Sequence, residues 1–294
     1  MTAAREAWRR VALSDAPRLD WALAWMAVEE GAVLPAEAMV AALDAMALQV
    51  LRATPAVDPD DDGPAPGLFG APGGGDPLAG RVARLHYALF DTYGFRGAPS
   101  EADQPESSLL DHVLTRRRGL PILLSAVYLA VAARVGVPAD GVGFPGHFLV
   151  TVQTDPRIWI DPFHGGRPVP RDALAARLAA LEGRPPSPRR LAAALAPVGP
   201  AYVLARVENN LKGARLRRGD LAGALRATER LLEVAPELVE ELRDRGLLRI
   251  RLGARAEGRA DLVAYLQRWS TAPDRERVER AIAAAERDDG PDDS

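Results

Sequence analysis

The chain has no cysteine, a single lysine (Lys212) and only four histidines (His86, His112, His147, His164) among its 294 residues. Without cysteine there is no disulfide, no thiolate metal ligand and no thiol nucleophile. Four imidazoles leave few groups for acid–base work or metal coordination. The net charge is −3, so there is no basic surplus of the kind nucleic-acid phosphates demand. No stretch approaches the roughly 20 apolar residues of a membrane-spanning helix. The opening MTAAREAWRRVALSDAP mixes charges of both signs and lacks the apolar centre of a secretory leader. These absences predict a cytoplasmic chain whose partners include neither nucleic acid nor membrane.

What is present suits a globular protein long enough for two domains, with 48% hydrophobic and 26% charged residues. Residues 1–52 read as an N-terminal helical segment. Leu19, Leu23, Met26 and Ala27, then Met39, Leu43, Met46 and Val50, recur at helical spacing on either side of Gly31 and Pro35. Residues 53–80 break that pattern, since Pro, Gly and Asp fill 18 of the 28 positions. This composition predicts a disordered insertion, because it cannot bury enough apolar surface to offset its ordering entropy. The spacing and closing Glu of a calcium loop are missing from it.

Order resumes over 81–183. A helix over 81–97 ends at Gly94, with His86 among core-type neighbours. SSLLDHVLTRRRG predicts a helix capped by Ser107 or Ser108 and stopped by Gly119, with Arg116 to Arg118 at a solvated end. Next, PILLSAVYLAVAARVG is apolar nearly all round, which predicts a buried central helix opened by Pro121. GVGFPGHFLVTV and IWIDP read as β-strands joined by QTDPR, which brings His147 and Asp161 to the same end of a hairpin. From 189 to 286 the chain reads as helical repeats. Gly219 and Gly253 lie 34 residues apart, the tetratricopeptide period, and an acidic tail, 287–294, follows.

Three motifs, Gly119-Leu120-Pro121-Ile122-Leu123-Leu124-Ser125, Phe144-Pro145-Gly146-His147-Phe148 and Asp161-Pro162-Phe163 with Gly165-Gly166, occur in that order ahead of the paired helices. Together they resemble the bacterial transglutaminase-like/tetratricopeptide family, within the papain-like transglutaminase superfamily. The resemblance runs from about Leu19 to about Trp269 outside the insertion. It implies an α+β fold, mainly helical, with N-terminal helices, a transglutaminase-like core and C-terminal tetratricopeptide-like helices. The core would hold one central buried helix and a small antiparallel sheet.

The superfamily places Cys two residues after a helix-opening glycine, and a Gly-hydrophobic-Pro 17 residues after that glycine. Gly136-Val137-Pro138 fixes this register from Gly119, so the cysteine position falls on Pro121, the His position on His147 and the Asp position on Asp161. The His147–Asp161 pair is then vestigial, since proline offers no nucleophile. Ser125, one turn deeper on the same face, is a weak substitute, and a buried serine bonded to the carbonyl four residues earlier is the simpler expectation.

His147, Asp161 and His164 form a usable ligand set, yet a structural His147 and a solvent-facing His164 are expected, with no metal and no cofactor. The resemblance marks Gly119, Pro121, Phe144 and Gly146 as binding-groove residues. Asn209, Asn210 and Lys212 on the first repeat helix are binding candidates or simply a polar outer face. The expectation is a non-catalytic module for an unknown protein or peptide partner. The alternative is a hydrolase or acyl-transfer enzyme using Ser125 or a metal with His147 and Asp161.

Overall fold

The computed structural model describes residues 2–52, 77–101, 103–154 and 156–287. The insertion expected over 53–80 lies outside the described residues except for its last four positions, which belong to a helix; all but the first residue of the acidic tail also lie outside. The chain divides into two compact units, residues 1–102 with 106–203, and residues 103–105 with 204–294.

In the first unit, α1 (Ala3–Ala12), α2 (Leu19–Glu29), α3 (Ala36–Arg52) and α4 (Pro77–His86) come first, and α4 runs into a π-helical turn, Tyr87–Thr92. Helix α1 is hidden in the sequence by its mixed charges. Thr2 caps it by accepting from the Arg5 N–H at 3.2 Å, Trp8 is fully buried, and the Arg5 guanidinium lies 5.0 Å over the Trp8 ring. Strand β1 (Arg96–Gly97), α5 (Leu110–Arg116) and β2 (Arg118–Gly119) follow.

Two local expectations change here. Helix α5 begins at Leu110, and its N-cap, Leu109, makes no side-chain bond, because Ser107 turns instead to Glu101 at 3.2 Å. The helix stops at Arg117, which takes the left-handed conformation (φ 59°) and lays its guanidinium over Tyr93 and Phe95. Gly119 is therefore free to pair, and β1 and β2 run parallel with Gly97 opposite Gly119.

Helix α6 (Pro121–Arg134) is the central buried helix, with Ile122 to Tyr128, Val131 and Ala132 all inaccessible. A helix apolar on every side needs neighbours on every side, and α6 packs against α2, α3, α5, β3 and β4. At its last turn Arg134 bridges the carboxylates of Asp20 on α2, at 2.7 Å, and Asp44 on α3.

Strands β3 (Ala139–Val142), β4 (Leu149–Val152), β5 (Ile158–Asp161), β6 (Arg167–Pro168) and β7 (Pro197–Val198) form one antiparallel sheet in the order β6-β5-β4-β3-β7. GVGFPGHFLVTV is thus two strands. Gly146, at φ 71°, turns the chain between them, a conformation open to glycine at little cost. Helices α7 (Arg171–Glu182) and α8 (Pro188–Ala194) cover the sheet, burying Phe144, Leu149, Leu174, Leu178 and Leu191 together. Because α8 and β7 complete this layer, the boundary read at 183–189 moves to about residue 203.

The second unit contains α9 (Pro200–Arg217) from Leu204 onward, then α10 (Leu221–Val234), α11 (Glu240–Arg251), α12 (Arg255–Arg268) and α13 (Arg275–Arg287). The two glycines set 34 residues apart, Gly219 (φ 74°) and Gly253 (φ 90°), each turn one helical hairpin. Helices α11 and α12 approach closely at Gly246 and Gly258, where a Cβ on either would come within 2.8 Å of the other's carbonyl oxygen. Glu208 on α9 and Arg230 on α10 form an ion pair at 2.7 Å with both side chains wholly buried.

Candidate functional site

The site grows from two chain reversals. In the first, Phe144 is anchored in the core and its carbonyl accepts from the His147 N–H at 2.9 Å, so the imidazole is set just ahead of β4. In the second, Asp161 ends β5 and caps the 3-10 turn Pro162–His164. Its Oδ1 accepts from the backbone N–H groups of Phe163 at 3.2 Å and His164 at 3.3 Å. The pairing of β4 with β5, Val150 opposite Ile160, carries both reversals to one end of the sheet.

There the side chains meet. His147 Nε2 lies 2.9 Å from each carboxylate oxygen of Asp161, and His164 Nδ1 lies 2.8 Å from Oδ2. Arg177, from α7, reaches within 3.8 Å of the same oxygen. Asp161 is buried, which alone would raise its pKa. Hydrogen bonds to His147 and His164, and the electrostatic attraction of those two rings, outweigh the burial and hold it below its ordinary value.

A depressed carboxylate stabilises the fold above its ordinary value near pH ~4 and loses that contribution as pH falls from there through the lowered folded-state value. Asp161→Asn should therefore lower the melting temperature above pH ~5, with the gap to wild type narrowing as pH falls below ~4 in circular dichroism melts. A gap of constant size would mean that the carboxylate charge is not engaged.

Phe163 ties this cluster to the start of α6. Its ring stands edge-on to His147, with centroids 5.8 Å apart, and it rests on Gly97, where an added Cβ would come within 2.6 Å of the ring. Gly97 pairs with Gly119, and two residues later Pro121 opens α6. The 162–164 turn itself packs against α6. The predicted His147–Asp161 pair is thus formed, at the end of the fold where Pro121 begins the buried helix. Proline at this first position brings no N–H and no nucleophile.

Other predicted residues fall elsewhere. Ser125 is fully buried and its Oγ has no hydrogen-bond partner among the described residues, so the expected bond to the carbonyl four residues earlier is absent and none of those residues places a base within reach. Gly119 is buried in the strand pair, where a Cβ would press on Val113, and Phe144 belongs to the core; neither presents a surface to a ligand. Pro121 and Gly146 remain accessible.

In the second unit, Asn209 is exposed and Asn210 half-buried. Lys212 is buried, donating to both oxygens of Glu241 at 2.7 Å and to Asp244 at 2.9 Å, so it does not lie on a polar outer face. His86 is held neutral, its pKa pushed down to about 4 by burial, with its ring 4.9 Å from Phe90.

His164 is exposed as expected, but it also does more than expected, because its Nδ1 turns back onto Asp161. The sequence signal was DPFHGG. An Asp that caps a Pro-led turn places the third residue after it over its own carboxylate, and glycines at φ 70° let the chain leave. Phe163 and Arg177 carried no comparable signal.

A family profile described as transglutaminase-like superfamily matches residues 37–209, and a tetratricopeptide repeat profile matches residues 211–283. A UPF0162 protein of Xylella fastidiosa (strain 9a5c) is 40% identical over 189 residues, covering 64% of this chain and 67% of its own. The UPF0162 protein YchA of Escherichia coli (strain K12) is 28% identical over 211 residues, covering 70% and 76% respectively. Among solved structures, menin, in a crystal structure described as revealing its binding site for the Mixed Lineage Leukemia protein, aligns with a TM-score of 0.36 at 12% identity, over 95% of this chain and 73% of menin. Among the described residues no helix is long and apolar enough to cross a membrane.

Proposed function

Since this chain belongs to the transglutaminase-like superfamily, with tetratricopeptide repeats following that core, we propose that it is a non-catalytic cytoplasmic module that binds a protein or peptide partner. The observation that carries this reading is Pro121. A thiol enzyme of this kind needs a thiolate at the first turn of the buried helix, stabilised by the helix dipole and by a neighbouring imidazole. Proline stands there, and the sequence contains no cysteine to take its place. The neighbouring imidazole and an accessible Gly146 turn remain, and an imidazole suits a peptide amide or carboxylate. Tetratricopeptide helices stack into surfaces commonly used for peptides, which supports the same reading.

The test pairs an activity assay with a binding assay. Purified protein should release no product from p-nitrophenyl acetate or a glutamine-containing peptide above the uncatalysed rate. Selection from a displayed random-peptide library should yield binders whose affinity, measured by fluorescence polarisation, falls at least about 10-fold in His147→Ala, the size expected for a charge-assisted hydrogen bond. Turnover that survives purification and disappears in His147→Ala or Ser125→Ala would overturn the reading in favour of a hydrolase.

A further inference from the structure

We propose that His147, Asp161 and His164 form a binding site for a divalent transition-metal cation of the zinc type. Among the described residues this is the one place where three such ligating side chains gather, with their donor atoms all within 4.8 Å of one another. The donors are two imidazole nitrogens and one carboxylate oxygen, a set that suits zinc and its neighbours in the first transition row better than calcium or magnesium.

The carboxylate is already divided between two tasks. Oδ1 accepts the backbone N–H groups of Phe163 and His164. Oδ2 faces His147 Nε2 at 2.9 Å and His164 Nδ1 at 2.8 Å. Backbone donors on one oxygen are the kind of support that orients a ligating carboxylate in metal sites.

A cation bonded at ~2.0–2.1 Å needs its donors roughly 3.3 Å apart, so each imidazole must retreat from Oδ2 by about half an ångström, and the two ring nitrogens must close on one another from as much as 4.8 Å. The half-exposed His164, on its short turn, is free to supply most of that movement. Arg177, 43% exposed and 3.8 Å from Oδ2, can swing toward water as the cation arrives. Three protein ligands leave coordination positions open on the side where His164 meets solvent. The proposal stands independently of the peptide-binding role, because it needs neither a partner nor turnover.

The test uses the full chain free of any histidine tag, stripped of metal by a chelator and titrated calorimetrically with Zn²⁺ alone. One equivalent should bind, and Zn²⁺ should raise the melting temperature. His164→Ala and His147→Ala should each weaken binding at least 10-fold, and His164→Ala should abolish the thermal shift. Co²⁺ in place of Zn²⁺ should give visible absorption bands that vanish in the same variant. His164→Ala removes a half-exposed side chain, so it should fold, and its melting temperature without metal verifies that. Absence of saturable one-to-one binding, or an affinity unchanged in both variants, overturns the proposal.

Discussion

Replacing Pro121 with cysteine should create a thiol that reacts with iodoacetamide about 5- to 10-fold faster at pH 7 than an ordinary cysteine. An unperturbed thiol near pKa ~8.5 is only a few per cent ionised at that pH, whereas helix N-termini and neighbouring imidazoles bring thiols to ~7 or below. Part of the gain is returned, because a less basic thiolate is a weaker nucleophile. Position 121 is half-buried at the first turn of α6, so the reagent has access. Substitution also restores the backbone N–H that proline lacks. Adding His147→Ala should bring the rate back toward the ordinary value, while His112→Ala, on the separate helix α5, should leave it unchanged. A slow rate indifferent to His147 would show that Pro121 does not face the imidazole, and the superfamily register would fail with it.

The largest loss of stability is expected from Glu208→Leu. Its partner Arg230 is wholly buried, and Nε of that guanidinium donates to Glu208 Oε1 at 2.7 Å. Removing Glu208 takes from the buried guanidinium the carboxylate it holds at 2.7 Å, and breaking a buried pair in this way costs about 3–5 kcal/mol. For a unit of this size that corresponds to a melting temperature lower by roughly 10 °C or more. The double variant Glu208→Leu/Arg230→Met should recover most of the loss, because apolar replacements of similar volume are often as stable as the pair. Urea unfolding of the wild type, both single variants and the double variant closes the cycle. A cost under 1 kcal/mol for Glu208→Leu would mean that Arg230 finds another acceptor or water.

Much of this architecture was legible in the chain. The all-apolar run after Pro121 could only be a central helix, and the 34-residue spacing of two glycines marked both helical hairpins. The His147–Asp161 meeting followed from strand order and one turn. What escaped reading depended on contacts between distant residues. Helix α1 is held by Trp8 and by an ion pair from Arg5 to Glu29, and its charge pattern gives no periodic stripe. Strand β7 is two residues long and exists because it meets β3, so α8 looked like part of the repeats. Lys212 read as a polar surface group because its partners, Glu241 and Asp244, lie 29 and 32 residues further along the chain. Ser125 gave no sign that its buried hydroxyl would lack a bond among the described residues.

Asp161 serves more than one neighbour. It receives two backbone donors that shape a turn as well as two imidazoles, so losing it would damage the fold whether or not any reaction ever took place. Natural selection for folding alone is enough to keep such a residue, and His147, bonded to it, is kept along with it. A histidine–aspartate pair at this end of the sheet is therefore poor evidence of activity in a genome survey. Sorting chains of this kind into enzymes and non-enzymes should turn on the residue that opens the buried helix, because that position has no structural duty a cysteine would be needed to perform.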